Sequence, residues 1–408
     1  MNGMRVTRRA VLRGTGAAIM PALPAPFIGS AAAAEPVRIG MVLAKQGAMS
    51  NQGEHLAQGA QFAVKQATEI LGRPVELIWL DEPTPQDAVQ SITRLIGESR
   101  VAAVIGGTSS ANTLAMGAAA KRERVPFVGL NSSAREPTGS QCNRFMFRVP
   151  ASVPVYARAM TPSLLEKGKK WYFLVASFTF GEDVLKTFGD ELKAAGGTVA
   201  GVDQVPVGTT DYSAYLLKVR QTRPDVLISG APNVGPILNQ MNEMGLTGRV
   251  YVGGPAVSDT DLWSVKPPAL TGLYGKTWYF DDPANSEEDR QLVQDYTAQT
   301  RTPPSDRVWA GWYGTRLVLE AVRQAGSTDA AKLVGALEGM RLSDGDTPVS
   351  FRDWDHQLLR RLVVAEARQN TADRHRILTL KPSAARSPDD LNRLFGLPEE
   401  IGCRMEPL

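Results

Sequence analysis

The sequence predicts an α/β fold: two doubly wound parallel-sheet lobes joined by a multi-strand hinge. Three observations predict it. Short apolar runs alternate with longer amphipathic segments from the region of Val37 to that of Gly253, and strands separated by single helices pair in parallel through right-handed crossovers. The alternation is used twice, on either side of Pro150, without a convincing repeat of sequence. The tail then departs from it, with helical segments that need a surface to cover, and the first lobe's sheet offers one. The chain is therefore expected to cross between lobes more than once. Residues 35–150 and about 282–345 are assigned to lobe 1, and 151–281 and about 346–408 to lobe 2.

Taken in order, residues 37–44 read as a strand, and 53–70 as a helix with Leu56, Ala60, Ala63, Val64 and Ala67 on one face. Strands follow at 75–80, 101–105 and 125–129, with helices at 86–98 and 112–123 between them. In the second set, helices at 153–167, 181–195, 212–222 and 234–244 alternate with strands at 171–176, 198–205, 225–229 and 250–253. Gly196-Gly197 closes one of these helices, and Asp211 is placed to cap another. Met241 and Met244 fall on a helical face and read as core. Residues 287–300, 308–325 and 330–337 read as tail helices, and 349–351, 361–367 and 377–380 as extended segments.

Composition narrows the function classes. A chain of 408 residues is long enough for about two or three domains. With 43% hydrophobic and 21% charged residues it is neither disordered nor collagen-like. Of 45 basic residues four, Arg5, Arg8, Arg9 and Arg13, lie in the first 34, leaving 41 against 42 acids in the rest. With that balance and no long basic run, a nucleic-acid partner is excluded. Residues 1–34 are a different material: a paired-arginine region, a mild apolar stretch interrupted by Pro21, Pro24 and Pro26, and small residues at Ala31–Ala34. This reads as a cleaved export signal resembling the twin-arginine type, too proline-rich for a spanning anchor. The mature protein is expected to be soluble in the periplasm. Cys142 and Cys403 permit one pairing there; a disulfide is favoured, with two buried thiols as the alternative. With only His55, His356 and His375 and no Cys-x-x-Cys, no metal site is expected.

Catalytic templates fail. No Gly-x-Ser-x-Gly elbow exists, and no Gly-x-Gly-x-x-Gly follows the first strand. Gly275-Lys276-Thr277 imitates the end of a phosphate loop, but Leu270 stands where its first glycine belongs. Two polar turns are more informative. Val104-Ile105-Gly106-Gly107-Thr108-Ser109-Ser110 ends a buried strand and opens a helix, whose unpaired N–H groups suit a carboxylate. Plain capping by serine is the bland alternative. The next strand ends in Gly129-Leu130-Asn131-Ser132-Ser133. In open parallel sheets ligands bind at the carboxyl ends of strands, so the two turns point polar groups at one crevice.

These residues resemble the branched-chain amino-acid-type solute-binding proteins of ABC importers, with the type I periplasmic binding fold. The opening pattern stands as Ile39-Gly40, Leu43, Gly47, Gly53, Gly59 and Ala63. The match continues through 104–110, Arg124-Val125-Pro126-Phe127-Val128, Phe145-Met146-Phe147-Arg148, Phe178-Thr179-Phe180-Gly181 and Thr210-Asp211-Tyr212-Ser213. Pro224-Asp225-Val226, Met244-Gly245-Leu246, Trp312-Tyr313 and Val349-Ser350-Phe351 complete it. The resemblance implies two lobes joined by three crossing segments that close on a ligand. It places the ligand carboxylate on Ser109, Ser110, Asn131 and Ser133, and an aromatic lid at Phe180, where relatives often have tyrosine; Ser132 of the same turn is taken as a further ligand-binding residue. Such proteins tend to present an acid after the strand that here ends Gly253-Gly254, to pair with a ligand ammonium. Pro255-Ala256-Val257 follows instead, and the first acid is Asp259. Either Asp259 bends in, or the ligand carries no ammonium; the second reading is favoured because an unpaired buried ammonium is costly.

Trp278, Tyr279, Trp309, Trp312 and Tyr313 are candidates for apolar ligand walls, but core or interlobe packing is the favoured reading of each. The expected function is capture of a small carboxylated solute, a hydrophobic amino acid or an aromatic or aliphatic carboxylate, for an inner-membrane ABC permease. The expected protein is a monomer without catalysis or cofactor. A periplasmic sensor with the same fold is the alternative.

Overall fold

The structure is a computed structural model that describes residues 34–345, 347–369, 373–382, 385 and 387–407. The expected export signal, Ala34 apart, lies outside the described residues.

The first lobe starts with β1 (Val37–Val42) and α1 (Ser50–Ala67). A short β2 (Glu69–Ile70) hairpins onto β3 (Arg73–Leu80). There follow α2 (Pro85–Gly97), β4 (Ala103–Gly106), α3 (Ser110–Glu123), β5 (Phe127–Gly129) and β6 (Met146–Arg148). Thr84 caps α2, accepting the Asp87 N–H, with Pro85 at the first helical position. The sheet runs β2-β3-β1-β4-β5-β6, parallel apart from β2. The chain leaves β1 toward β3 on one side and returns to β4 on the other. The strand order thus reverses between β1 and β4, where an open parallel sheet leaves a crevice at its carboxyl edge.

The second lobe repeats the scheme. Its elements are α4 (Val153–Leu165), β7 (Lys170–Ala176), α5 (Thr179–Ala194), β8 (Thr198–Val205), α6 (Ser213–Thr222), β9 (Val226–Gly230), α7 (Gly235–Glu243) and β10 (Tyr251–Gly254). A short α8 (Asp259–Trp263) and β11 (Leu273–Lys276) follow. The order β11-β10-β9-β7-β8 is parallel and reverses between β7 and β9. Neither α8 nor β11 is legible in the sequence: β11 is four residues long, with Gly275 inside it and the charge of Lys276 at its end.

The tail returns to the first lobe as α9 (Glu287–Thr300), α10 (Asp306–Ala325) and α11 (Ala330–Gly339). Helix α10 lies against α1 at two glycines. A Cβ on Gly59 would stand 1.9 Å from the Val308 carbonyl oxygen, and one on Gly311 1.9 Å from that of Leu56. The backbones touch, which only glycine permits. A small antiparallel sheet of β12 (Leu342–Asp344), β13 (Thr347–Phe351) and β14 (Leu358–Leu359) leads back. Then β15 (Val363–Ala367) adds antiparallel to β11, and β16 (Leu378–Leu380) antiparallel to β15, at the edge of the second sheet. Helices α12 (Pro388–Phe395) and α13 (Pro398–Ile401) end the chain's regular structure.

The chain thus passes between the two sheets after Arg148, after Lys276 and before Val363. At this hinge the buried Arg148 donates to Gln357 Oε1 at 2.7 Å and also to the Ala134 carbonyl and Thr138 Oγ1. His356 stacks on Phe147 at 3.9 Å and bonds Glu338. Cys142 and Cys403 form a disulfide, Cα–Cα 5.7 Å. Among the described residues no helix is long and apolar enough to cross a membrane.

Candidate ligand-binding site

The carboxyl edges of the two sheets face each other across a cleft, and the cleft encloses a cavity. The first lobe supplies Ser109, Ser110, Asn131 and Ser133, joined by Gln52 on α1 and by Asp306, Arg307 and Ala310 on α10. The second lobe supplies Tyr156, Phe178, Phe180, Pro232, the run Pro255-Ala256-Val257, and Asp261.

The serine turn is held from behind. Gly106 and Gly107 take positive φ values of 149° and 84° as the chain leaves β4. Thr108 Oγ1 accepts the Ala44 N–H at 3.0 Å, and the Thr108 N–H donates to Glu82 Oε1 at 2.6 Å. Ser109 caps α3, its hydroxyl accepting the Asn112 N–H at 3.1 Å. Ser110 Oγ accepts from Ser132 Oγ at 3.2 Å and from the Ala134 N–H at 3.4 Å. The Asn131 amide donates to the Thr108 carbonyl at 2.8 Å and to Gln52 Oε1 at 3.2 Å. The two polar turns are therefore one network at the positive end of α3, an environment suited to an anion.

Of the residues singled out from the sequence, Ser109, Ser110, Asn131, Ser133 and Phe180 line this cavity. Ser132 does not; fully buried, it acts through Ser110. Asp259 does not line it either. Its carboxylate lies 3.1 Å from the Lys276 ammonium and accepts the Asp306 N–H, so it is bound away from the ligand space. The five aromatic candidates are in the core, the reading favoured for them from the sequence. Trp278 stacks on Trp309 at 5.7 Å, Trp309 on Tyr313 at 4.7 Å, and the Arg360 guanidinium covers Trp309.

The sequence reading missed the cavity's charged residues. Arg307 forks onto Asp261 across the cleft, with N–O distances of 3.2 and 3.4 Å. Asp306 accepts from Ser258 Oγ at 2.6 Å and lies 3.3 Å from Lys276. Burial raises the Asp261 carboxyl, against the opposing pull of Arg307. Burial also acts to raise Asp306, but Lys276 and Arg307 outweigh it and hold Asp306 low. Lys276 itself is raised, since Asp259 and Asp306 overcome its burial. Each acid lining the cavity thus has a cationic partner. A further clasp lies outside the cavity: Arg135 donates its backbone N–H to Asp183 Oδ2 at 3.0 Å and its Nε to Oδ1, joining the first lobe to α5.

Residues 36–372 match the family described as periplasmic binding protein. The chain belongs to that family. Among curated relatives, a Leu/Ile/Val-binding protein homolog 8 of Brucella abortus is 24% identical over 373 residues, covering 85% of this chain and 90% of the relative. Among solved structures, a periplasmic binding protein from Burkholderia mallei superposes with a TM-score of 0.82 at 22% identity, covering 91% of this chain and 99% of the other. A solute-binding protein of an ABC transporter from Rhodopseudomonas palustris, in complex with 3,4-dihydroxybenzoic acid, gives a TM-score of 0.78 at 20% identity, covering 87% and 99%. These likenesses share the two-lobed fold described above.

Proposed function

We propose that this protein is the periplasmic substrate-binding component of an ABC importer, which captures a small carboxylated solute between its lobes and delivers it unaltered to an inner-membrane permease. Lobe 1 comprises residues 35–150 and about 282–345, and lobe 2 the remainder of the mature chain. Residues 1–34 direct a monomer to the periplasm by the twin-arginine route. Ser109, Ser110, Asn131 and Ser133 hold the carboxylate, Ser132 orients Ser110, and Phe180 closes over the ligand body. Ligand that touches both lobes only in the closed form shifts the balance toward closure.

One observation carries the reading: the hydroxyl-rich mouth of α3 faces an apolar second-lobe wall of Phe178, Phe180, Pro232, Pro255, Ala256 and Val257. The pairing of Asp261 with Arg307 and of Asp306 with Lys276 favours a ligand without an ammonium group. A carboxylate with an aromatic or aliphatic body fits. The dihydroxybenzoate complex of the Rhodopseudomonas relative is in keeping with this choice; the name of the Brucella relative points to aliphatic amino acids.

The test is a thermal-shift panel of aliphatic amino acids against aromatic and aliphatic carboxylates, with mass spectrometry of solute released from the purified protein. Tight ligands raise the melting temperature by mass action. Amine-free carboxylates are expected to shift it at least as much as leucine. A shift confined to α-amino acids overturns the ammonium-free choice, and recovery of a chemically altered solute overturns the transport reading.

A further inference from the structure

We infer that Glu82 is a positioning residue for the serine turn, and that it couples capture of a carboxylate to uptake of a proton. The inference rests on the carboxylate-binding reading above.

Glu82 follows β3 at the carboxyl edge of the first sheet, directly behind the turn. It is 1% exposed. Its Oε1 accepts the Thr108 N–H, and its backbone carbonyl accepts from the Asn112 amide at 2.7 Å. These bonds tie down both flanks of Ser109-Ser110. Its other oxygen, Oε2, is buried with no hydrogen-bond partner among the described residues. A buried carboxylate with one oxygen unsatisfied is costly, and a proton removes the charge. Burial accordingly pushes Glu82 up to about 7, against the Thr108 and Asn112 bonds and with a small further push from Asp81.

The charged groups around it are few. Asp81, next in the chain, is occupied by the N–H groups of Lys45 and Glu82 and by the Gln46 amide. The Lys45 ammonium donates to the Trp79 carbonyl. Asp87 at the start of α2 is bound to Thr84. Neither α1 nor α3 has an acid in its first turn.

An anion held at Ser109 and Ser110 lies on the far side of the peptide unit that Glu82 grips. Two negative charges there share a poorly screened wall. A ligand carboxylate therefore favours protonated Glu82, and ionised Glu82 opposes the ligand. Binding is tighter below neutral pH and weaker above it. Simple carboxylic acids titrate between about 4 and 5, below this window, so the ligand's own charge is nearly constant from about pH 6 upward.

The experiment measures the affinity of the full mature chain for benzoate, 4-hydroxybenzoate, hexanoate and leucine by calorimetry between about pH 5.5 and 8.5, a window centred on a carboxyl near neutrality. Buffers of different ionisation enthalpy count protons. Expected are a loss of roughly tenfold in affinity across the range, the effect of about one unit of pKa displacement on binding, and proton uptake peaking near neutrality. Glu82→Gln keeps an acceptor for Thr108 and is expected to hold the low-pH affinity throughout. Asp259, which burial also raises, remains in that variant, so the comparison isolates Glu82. Should the variant fail to fold, carbon-13 titration of the wild-type Glu82 carboxyl serves, its midpoint expected to rise when ligand is added. Binding that is independent of pH, a variant with the wild-type profile, or a midpoint unmoved by ligand overturns the inference while leaving the carboxylate reading intact. Failure of every carboxylate to bind at any pH overturns both.

Discussion

Replacing Asp183 with alanine tests whether contacts between the lobes, outside the cavity, set the affinity. Asp183 lies on α5 of the second lobe and is nearly fully buried, while the Arg135 side chain opposite is 37% exposed. Alanine is the best helix former, so α5 itself is not weakened. The substitution deletes the two hydrogen bonds that Arg135 donates across the lobes, each worth about 1.5–3 kcal/mol, and one that Thr187 donates within α5. Because Arg135 is over a third exposed and re-solvates, the sum is discounted to about 2–3 kcal/mol. The loss of the Arg135 pair falls on the closed form alone where opening parts Arg135 from Asp183, whereas the Thr187 bond lies within the second lobe and is lost from both forms. In a free protein that is mostly open, the whole penalty enters the apparent affinity, about 30- to 150-fold. Calorimetry measures that loss, and small-angle scattering with saturating ligand checks that the variant still closes. The melting temperature of the free variant should stay within a few degrees of wild type. An affinity within threefold of wild type refutes the argument. So does a drop in melting temperature that accounts for the whole loss, which would make the pair a matter of folding.

Ser110→Ala removes the hydroxyl shared by Ser132 and the Ala134 N–H, and should weaken carboxylate binding by about 1–3 kcal/mol; unchanged affinity in calorimetry removes Ser110 from the site. Gly311→Ala forces α1 and α10 apart by more than an ångström, since the new Cβ would stand 1.9 Å from a carbonyl oxygen, and should cost about 1–3 kcal/mol or more. Gly335→Ala, where nothing lies within 4 Å, is the control and should be neutral or stabilising by roughly 0.5–1 kcal/mol; equal melting temperatures for the two variants refute the packing argument. For Glu82 the folded carboxyl is raised from 4.5 to about 7, so between these values the folded state keeps a proton that the unfolded chain has lost. Stability should therefore fall as pH rises through that window, by about 3 kcal/mol relative to Glu82→Gln. Denaturant curves that stay parallel for the two proteins refute it.

The layered architecture was legible because each βα unit carries its own period and its own turn signals. The tail helices were legible for the same reason, down to Glu287–Thr300. The first-lobe wall was legible because Ser109 and Asn131 end neighbouring strands. The second-lobe wall was only partly so. The first acid after β10, Asp259, was the natural candidate, yet two residues along a helix turns a side chain by about 200°, so Asp261 reaches the cavity and Asp259 goes to Lys276. Nothing in the order of residues announces that Lys276, buried at the end of a four-residue strand, needs that partner. Arg307 was missed because the α10 helix was read from Val308; Ser305-Asp306, a cap followed by an acid, was the signal that would have moved its start. Aromatic residues say little by themselves: Trp278 and Trp309 fill core space with the same surfaces that would have suited a ligand.

The segment that ends the chain joins what the peptide crossings already join. Arg158 of the second lobe bonds the Leu394 carbonyl and Glu400, while Cys403 and Glu406 reach Cys142 and Lys121 of the first. Any swing that parts the jaws must keep the two sulfur atoms together, so it is limited by the reach of the chain between Glu400 and Cys403. Reducing the sulfur bond leaves the jaws with the same closed form but more ways to gape. A single disulfide thus limits how wide the front can yawn.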